Sequence, residues 1–197
     1  MYLKIDQKKI AKADLALIVK ALKEGKVIVY PTDTIYGLGC RADDKKAILK
    51  IKKIKQRDRN KPLLIIVSSF SMANKYCFIP KNQAVALKKI WSERRPTSVI
   101  LRHRKKLSDE LAPKQSTLAV RLPKCDFLRK IVRMTGVPLV STSFNVSGQP
   151  VWNEVSHLAD KKIKSGGPEL IVDGGILNNQ ASRIIDLTGE ELKIVRQ

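Results

Sequence analysis

The sequence predicts an α/β domain built on a sheet of mixed strand direction, and three observations carry that prediction. Near the N-terminus a helical stripe of Leu15, Ile18, Val19 and Leu22 halts at Gly25, and the apolar run Val27-Ile28-Val29-Tyr30 follows at once. The same alternation of helical stripes and short buried runs continues through Val140. Beyond residue 170 the segments Leu170-Ile171-Val172, Arg183 to Leu187 and Leu192 to Arg196 succeed one another as strands, the last two joined by a turn around Gly189. Helical crossovers bring strands together in parallel and hairpins make them antiparallel, so a chain that uses both predicts a mixed sheet.

In order along the chain, the first helix leads into the strand 27–30, which Pro31 stops by removing a ladder donor. Thr32 and Thr34 emerge at that strand end, and Gly37 and Gly39 are read as letting the backbone approach a ligand. Ala47, Ile51 and Ile54 recur at helical spacing and put Lys55 and Arg57 at the C-terminal end of a second helix, followed by a strand over 63–67. A helix runs through Ala84, Leu87 and Trp91, strands cover 98–101 and 118–122, a helix carries Phe127, Leu128, Ile131 and Val132, and a strand covers 137–140.

Composition narrows the function. The 197 residues suit one domain spanning 1–197, with no linker-like tract, repeat or apolar run long enough for a bilayer. The N-terminus is amphipathic rather than a signal core, so a cytoplasmic location is the expectation. Cys40, Cys77 and Cys125 are an odd set without paired spacing, which predicts packed, reduced thiols rather than disulfides or a zinc knuckle. His103 and His157 stand alone, with no nucleophile and base arranged around them. Thirty-nine basic against 18 acidic residues give +21, which attracts polyanions such as nucleotides or RNA. Part of this charge, including Lys8-Lys9-Lys12 and Lys45-Lys46-Lys50-Lys52-Lys53, reads as solvated helix faces. Aromatic residues are only 5%, which leaves few stacking platforms for a dedicated RNA-binding module.

Three polar segments are not explained by packing. Pro31-Thr32-Asp33-Thr34-Ile35-Tyr36-Gly37-Leu38-Gly39 presents hydroxyls at a strand end. Lys55-Gln56-Arg57 with Arg59-Asn60-Lys61-Pro62 crowds four cations before a strand; taken alone, a helix C-terminus that favours cations explains a Lys-x-Arg. Ser141-Thr142-Ser143-Phe144-Asn145-Val146-Ser147-Gly148 offers hydroxyls and an amide, which alone reads as a turn or cap but also suits phosphate oxygens and a phosphate-bound cation.

Six anchors in order make the chain resemble the YrdC-like family over nearly its whole length. They are Pro31 to Gly39, Lys55-x-Arg57 with Lys61-Pro62-Leu63, Ala119-Val120-Arg121-x-Pro123, Thr142-Ser143-x-Asn145-x-Ser147-Gly148, Asp173-Gly174-Gly175 and Ile194-Val195-Arg196. The resemblance implies a twisted, mostly open mixed sheet with flanking helices and a concave basic cavity. It also implies a nucleotidyltransferase that turns L-threonine, bicarbonate and ATP, carried with Mg2+, into L-threonylcarbamoyl adenylate and pyrophosphate. That product would pass to downstream threonylcarbamoyl-transferase proteins for N6-threonylcarbamoylation of adenosine 37 in tRNA. Every participant is anionic, so the chemistry asks for charge neutralisation and alignment more than for a catalytic acid or base.

By the same resemblance, Thr34, Arg121, Ser141 and Ser182 would contact threonine, with the Arg121 guanidinium gripping its carboxylate; from the residues alone Arg121 also reads as a surface strand ion pair. Arg57, Lys61, Thr117, Ser143, Val151 and Arg196 would hold ATP, and Lys55, Arg57, Ser143 and Asn145 would carry the reaction. Lys55→Ala and Arg57→Ala are expected to lower turnover with the fold intact. The chain departs from the family at Trp91-Ser92-Glu93-Arg94-Arg95-Pro96-Thr97, where Pro-Gly-Pro is usual, at Asp58 in place of a frequent proline, and at Ile66, where longer relatives often carry a polar ring. It ends at Gln197 without their extra C-terminal domain, so a lid is expected from within this domain. Two other classes stay open: a paralogue that binds or hydrolyses the adenylate, and a protein that binds double-stranded RNA or tRNA in the basic cavity. No membrane partner is expected.

Overall fold

The computed structural model describes residues 1–158, 166–189 and 191–197. Its helices are α1 (Lys12–Lys23), α2 (Lys45–Ile54), α3 (Phe70–Tyr76), α4 (Lys81–Ser92) and α5 (Asp126–Thr135). The strands are β1 (Tyr2–Lys4), β2 (Ile28–Tyr30), β3 (Gly37–Arg41), β4 (Leu64–Ile66), β5 (Thr97–Arg102), β6 (Thr117–Arg121), β7 (Leu139–Ser143), β8 (Leu170–Asp173), β9 (Arg183–Asp186) and β10 (Lys193–Arg196). All lie in one open sheet ordered β1-β8-β2-β3-β7-β4-β6-β5-β9-β10. Neighbours β1/β8, β8/β2, β4/β6 and β5/β9 are parallel, and β2/β3, β3/β7, β7/β4, β6/β5 and β9/β10 antiparallel, as the mixture of crossovers and hairpins predicts. Among the described residues no helix is long and apolar enough to cross a membrane.

Strand alternation sorts the side chains onto two faces. Val29, Leu38, Ile65, Val99, Leu101, Val120 and Val140 point to one face and pack against Ile48 and Ile51 of α2, Ala73 and Tyr76 of α3, and Leu87, Ile90 and Trp91 of α4. Their neighbours Ile28, Tyr30, Ile66, Leu139, Leu170 and Val172 point to the other face, beneath Ile18 and Leu22 of α1 and Phe127, Leu128 and Ile131 of α5. Those two helices cover only one end of it. Further along, the same face presents Thr117, Ala119 and Arg121 on β6 and Ser141 and Ser143 on β7, too polar for an apolar helix stripe to bury, and a cavity opens there instead.

Several expectations shift. Gly37 and Gly39 lie in β3, a strand not anticipated, where Tyr30 from β2 crosses over them; a Cβ on Gly39 would stand 2.2 Å from the Val140 carbonyl oxygen and 2.8 Å from the Tyr30 ring. Gly39 therefore serves strand and ring packing rather than a ligand, whereas Gly37 also borders the cavity. The strand expected at 137–140 runs instead from Leu139 to Ser143, because Gly136 caps α5 in the left-handed region with φ 83°. Its extension turns the run Ser141-Thr142-Ser143, read as a loop, into sheet paired with β3. The three-residue β1 and seven-residue α3 were too short to stand out in the periodicity. Lys8 and Lys9 precede α1, and Lys52, read as solvated, is 1% exposed, its ammonium donating to the Arg59 carbonyl. The turn around Gly189 includes position 190, outside the described residues. Cys40 and Cys77 are buried and Cys125 partly so, all unpaired, and burial pushes the Cys77 thiol up to about 12.

Gly39→Ala must push Tyr30 or β7 aside. It is expected to cost on the order of 3 kcal/mol, at the upper end of overpacking penalties, as a lower urea midpoint with an unchanged denaturant slope.

Candidate active site

A cavity of about 470 Å³ opens on the uncovered face of the sheet. Thr34, Arg57, Thr117, Arg121, Ser141, Ser143, Val151, Ser182 and Arg196 all line it. A second hollow of about 330 Å³ is lined by Lys55, Arg57, Lys61, Ser143 and Asn145. Arg57 and Ser143 belong to both and join them. All the sequence-predicted site residues thus gather in two adjoining hollows, with Lys61 exposed in the outer one. The gathering follows from register: Ser141 and Ser143 on β7 stand opposite Gly39 and Gly37 on β3, and Thr117 and Arg121 occupy alternate positions of β6.

The loop after β2 is held by its own hydroxyls. Thr32 Oγ1 donates to the Ile35 carbonyl at 2.7 Å, accepts the Thr34 N–H at 3.0 Å and lies 2.9 Å from Thr34 Oγ1. The next residue inward, Tyr36, reaches across to the Asp173-Gly174-Gly175 turn, where its hydroxyl lies 3.0 Å from Asp173 Oδ1 and 2.7 Å from the Gly175 carbonyl, and accepts the Gly174 N–H at 3.0 Å. Asp173 also takes the Tyr2 hydroxyl. The Asp-Gly-Gly anchor therefore supports the threonine loop from behind and does not itself line the cavity.

Arg121 is 6% exposed, so it is no surface residue. Its Nη1 donates to Thr34 Oγ1 at 2.9 Å and its Nη2 to Asp33 Oδ1 at 2.5 Å, while Nε is buried without a partner. Asp33 Oδ2 accepts the Lys124 N–H at 2.8 Å. Arg57 follows Gln56, whose φ of 49° turns the chain sharply after α2. Its Nη2 donates to the Pro62 carbonyl at 2.9 Å and its Nε is buried unpartnered. Desolvation, set only partly against the Asp58 carboxylate, pushes this guanidinium below its usual range. Desolvation and the nearby Arg121 do the same to Arg196, which bonds the Ser182 carbonyl through Nε at 3.1 Å and Nη2 at 2.6 Å. Among the described residues no acidic side chain lines the main cavity.

Lys55, the C-cap of α2, is 2% exposed. Its ammonium donates to the Ser143 carbonyl at 2.6 Å, the Asn145 carbonyl at 2.9 Å and Asn145 Oδ1 at 2.7 Å, and Ser143 Oγ donates to that same amide oxygen at 2.7 Å. Lys55 thus pins the 143–149 loop to α2. Lys55→Ala would remove the ammonium from these partly buried acceptors, so a loss of stability is expected beside the loss of turnover.

Sequence reasoning did not single out Leu64, Ile100 or Gln115 of the lining, nor Ser98, whose hydroxyl lies 2.9 Å from that of Ser182. Strand alternation with Thr117 and Arg121 as markers would have found Leu64 and Ile100. Ile66 is buried beneath α1 and α5 at 1% exposure; Leu64, two residues earlier, borders the cavity. The segment Trp91 to Thr97 caps α4 and enters β5, outside the lining.

Burial, followed by the charge of Arg57, lowers Lys55 to about 8 from an ordinary 10.5. Between these values the unfolded chain holds more protons here, so this group's contribution to stability rises with pH across that window. A polyanion entering the hollow favours the ammonium and raises the value again. Calorimetry with inorganic triphosphate at pH 8, in buffers of different ionisation enthalpy, is therefore expected to show uptake of up to about half a proton, absent at pH 6 and in Lys55→Met.

The arrangement has counterparts. The chain is 31% identical over 169 residues to a threonylcarbamoyl-AMP synthase of Pyrococcus abyssi, covering 85% of this chain and 48% of that protein. It is 32% identical over 150 residues to the threonylcarbamoyl-AMP synthase of Vibrio vulnificus, covering 76% and 81%. The chain spans about half the length of the archaeal relative. The crystal structure of P. abyssi Sua5 complexed with L-threonine superposes with a TM-score of 0.88 at 26% identity, over 100% of this chain and 57% of that one. That of Escherichia coli YciO superposes at 0.86 and 26%, over 100% and 94%. The family model for Sua5, YciO and YrdC proteins, described as telomere recombination, matches residues 20–197. With the family model matching most of the chain and the fold superposing on YciO, the chain belongs to the Sua5/YciO/YrdC family.

Proposed function

We propose that the protein condenses L-threonine, bicarbonate and ATP into L-threonylcarbamoyl adenylate and pyrophosphate, an adenylyl transfer that supplies tRNA threonylcarbamoylation. The observation that carries the reading is a cavity lined by three guanidiniums and no carboxylate among the described residues, large enough for small organic anions. Threonine's amine adds to carbon dioxide with loss of a proton to solvent, or to bicarbonate with loss of water, and the new carboxylate attacks the α-phosphorus as pyrophosphate leaves. Both the attacking and the departing groups are anions, so Arg57 and Arg196 would act by neutralising them and holding them in line. Thr34 and Arg121 would hold the amino acid, Ser141 and Ser182 would flank it, and Thr117 and Val151 would border the nucleoside.

Magnesium would arrive on the triphosphate. Ser143 Oγ and Asn145 Oδ1 are oxygen donors of the hard kind it prefers, but the amide oxygen is already shared by Lys55 and Ser143. Phosphate oxygens and water would therefore supply most of its shell. Among the described residues no cluster of three His, Cys, Asp or Glu offers an alternative site.

The matching YciO fold over nearly the whole of that chain keeps a second reading in view, a relative that binds or cleaves the adenylate without making it. Mixing protein, ATP, magnesium, bicarbonate and threonine separates them: pyrophosphate release that requires threonine supports synthesis, and release indifferent to threonine defeats it. Rescue of a synthase-deficient strain tests the tRNA role, and salt-sensitive RNA affinity unaffected by Arg57→Ala would favour RNA binding instead.

Arg57→Ala is expected to lower turnover on the order of a hundredfold. Because its guanidinium has one carbonyl acceptor and no carboxylate partner among the described residues, the unfolding free energy should stay within about 1 kcal/mol of the parent.

A further inference from the structure

We propose that Asp33 is a positioning residue that makes the two ends of the cavity unlike, reserving Arg121 for the single carboxylate of an α-amino acid and leaving Arg57 and Arg196 to polyphosphate. This rests on the synthase reading and adds how the site tells an amino-acid carboxylate from a polyphosphate.

Three cations face a cavity that must accept a zwitterion with a single carboxylate and a polyanion together. Unpaired guanidiniums would all prefer the polyanion, since attraction grows with ligand charge. Among the described residues only one of the three is paired with a carboxylate. Asp33, with its side chain 10% exposed, gives one oxygen to Arg121 Nη2 at 2.5 Å and the other to the Lys124 N–H at 2.8 Å, so the carboxylate is held from both sides. The pair keeps Arg121's remaining N–H groups as directional donors while cancelling most of its net charge, and the fixed carboxylate repels a triphosphate that approaches too closely. A repulsive element of this kind gives specificity that attraction alone does not.

Arg121 and Thr32 together set the polarity of the neighbouring hydroxyl. Arg121 Nη1 donates to Thr34 Oγ1. Thr32 spends its own hydrogen on the Ile35 carbonyl, so in the 2.9 Å contact between the two hydroxyls Thr34 is the donor. Thr34 Oγ1 is left with a lone pair and no hydrogen to offer. The outlying group it suits is an amine, next to a guanidinium suited to a carboxylate, which are the two ends of an α-amino acid.

The test compares wild-type full-length protein with Asp33→Asn, which keeps the side chain's shape and an acceptor for the Lys124 N–H. Calorimetry measures threonine binding with and without inorganic triphosphate, and steady-state kinetics separates KM from kcat. In Asp33→Asn the threonine affinity should fall about ten- to a hundredfold, KM for threonine should rise by more than kcat falls, and triphosphate should become competitive with threonine. A merely structural Asp33 would instead lower the melting temperature and the active fraction, leaving KM and the inhibition pattern unchanged; that result overturns the proposal. If Asp33→Asn fails to fold, Asp33→Glu serves. It retains the charge, so threonine KM should rise while triphosphate stays non-competitive, and competition in that variant overturns the proposal. Wild-type protein that binds no threonine removes both this inference and the synthase reading, whereas wild-type binding with an unaltered Asp33→Asn removes this inference alone.

Discussion

A desolvated guanidinium without an anionic partner is unfavourable, and this one constraint organises the cavity. Arg57 buries an Nε with no acceptor, and the loss of water around Arg57 and Arg196 holds both below their usual range. A chain under selection for stability alone would pair such groups with carboxylates or cover the polar strand faces with a helix. Here α1 and α5 stop at one end of the sheet, and the strand positions beyond them carry serine, threonine and arginine. At the cavity an anionic ligand can relieve this cost.

The rest of the fold holds that region rigid. The opposite face is covered by three helices on a continuous apolar layer, so the strands carrying Thr117, Arg121, Ser141 and Ser143 have little freedom to shift. Tyr30 crosses β3 where glycine leaves room, and Tyr36 ties the threonine loop to the turn after β8. On the outer side the Lys55 ammonium gathers the carbonyls of Ser143 and Asn145, so a cation that resembled a ligand contact also shapes the loop that makes the second hollow. Structural and ligand-facing roles are therefore divided among the basic residues, and the division follows their acceptors: carbonyl oxygens hold Lys55 and Lys52, a carboxylate holds Arg121, and Arg57 is left largely open.

Much of this was legible in the chain. The stripe at Leu15 to Leu22 became α1, the run at 27–30 became β2, and the polar segments around Thr34, Arg57 and Ser143 do share one cleft. The misreadings have a common physical source. Gly-Leu-Gly-Cys-Arg carries little strand propensity, yet neighbours on both sides pair with it as β3, and tertiary pairing outweighs local preference. Lys52 looked solvated because four other lysines surround it in sequence, and only the packed helix shows which of them turns inward.

By itself the sequence determined the elements whose periodicity is long enough to read, the mixed direction of the sheet and the residue types a polyanion needs, because these depend on local spacing and side-chain chemistry. Tertiary structure alone decided which strand faces stay uncovered, that Asp33 pairs with Arg121 while among the described residues no carboxylate pairs with Arg57, and that Lys55 spends its charge on a loop. Those outcomes depend on contacts between residues as far apart as Asp33 and Arg121 or Lys55 and Asn145, whose meeting is fixed by sheet order and register and leaves no mark on either segment alone.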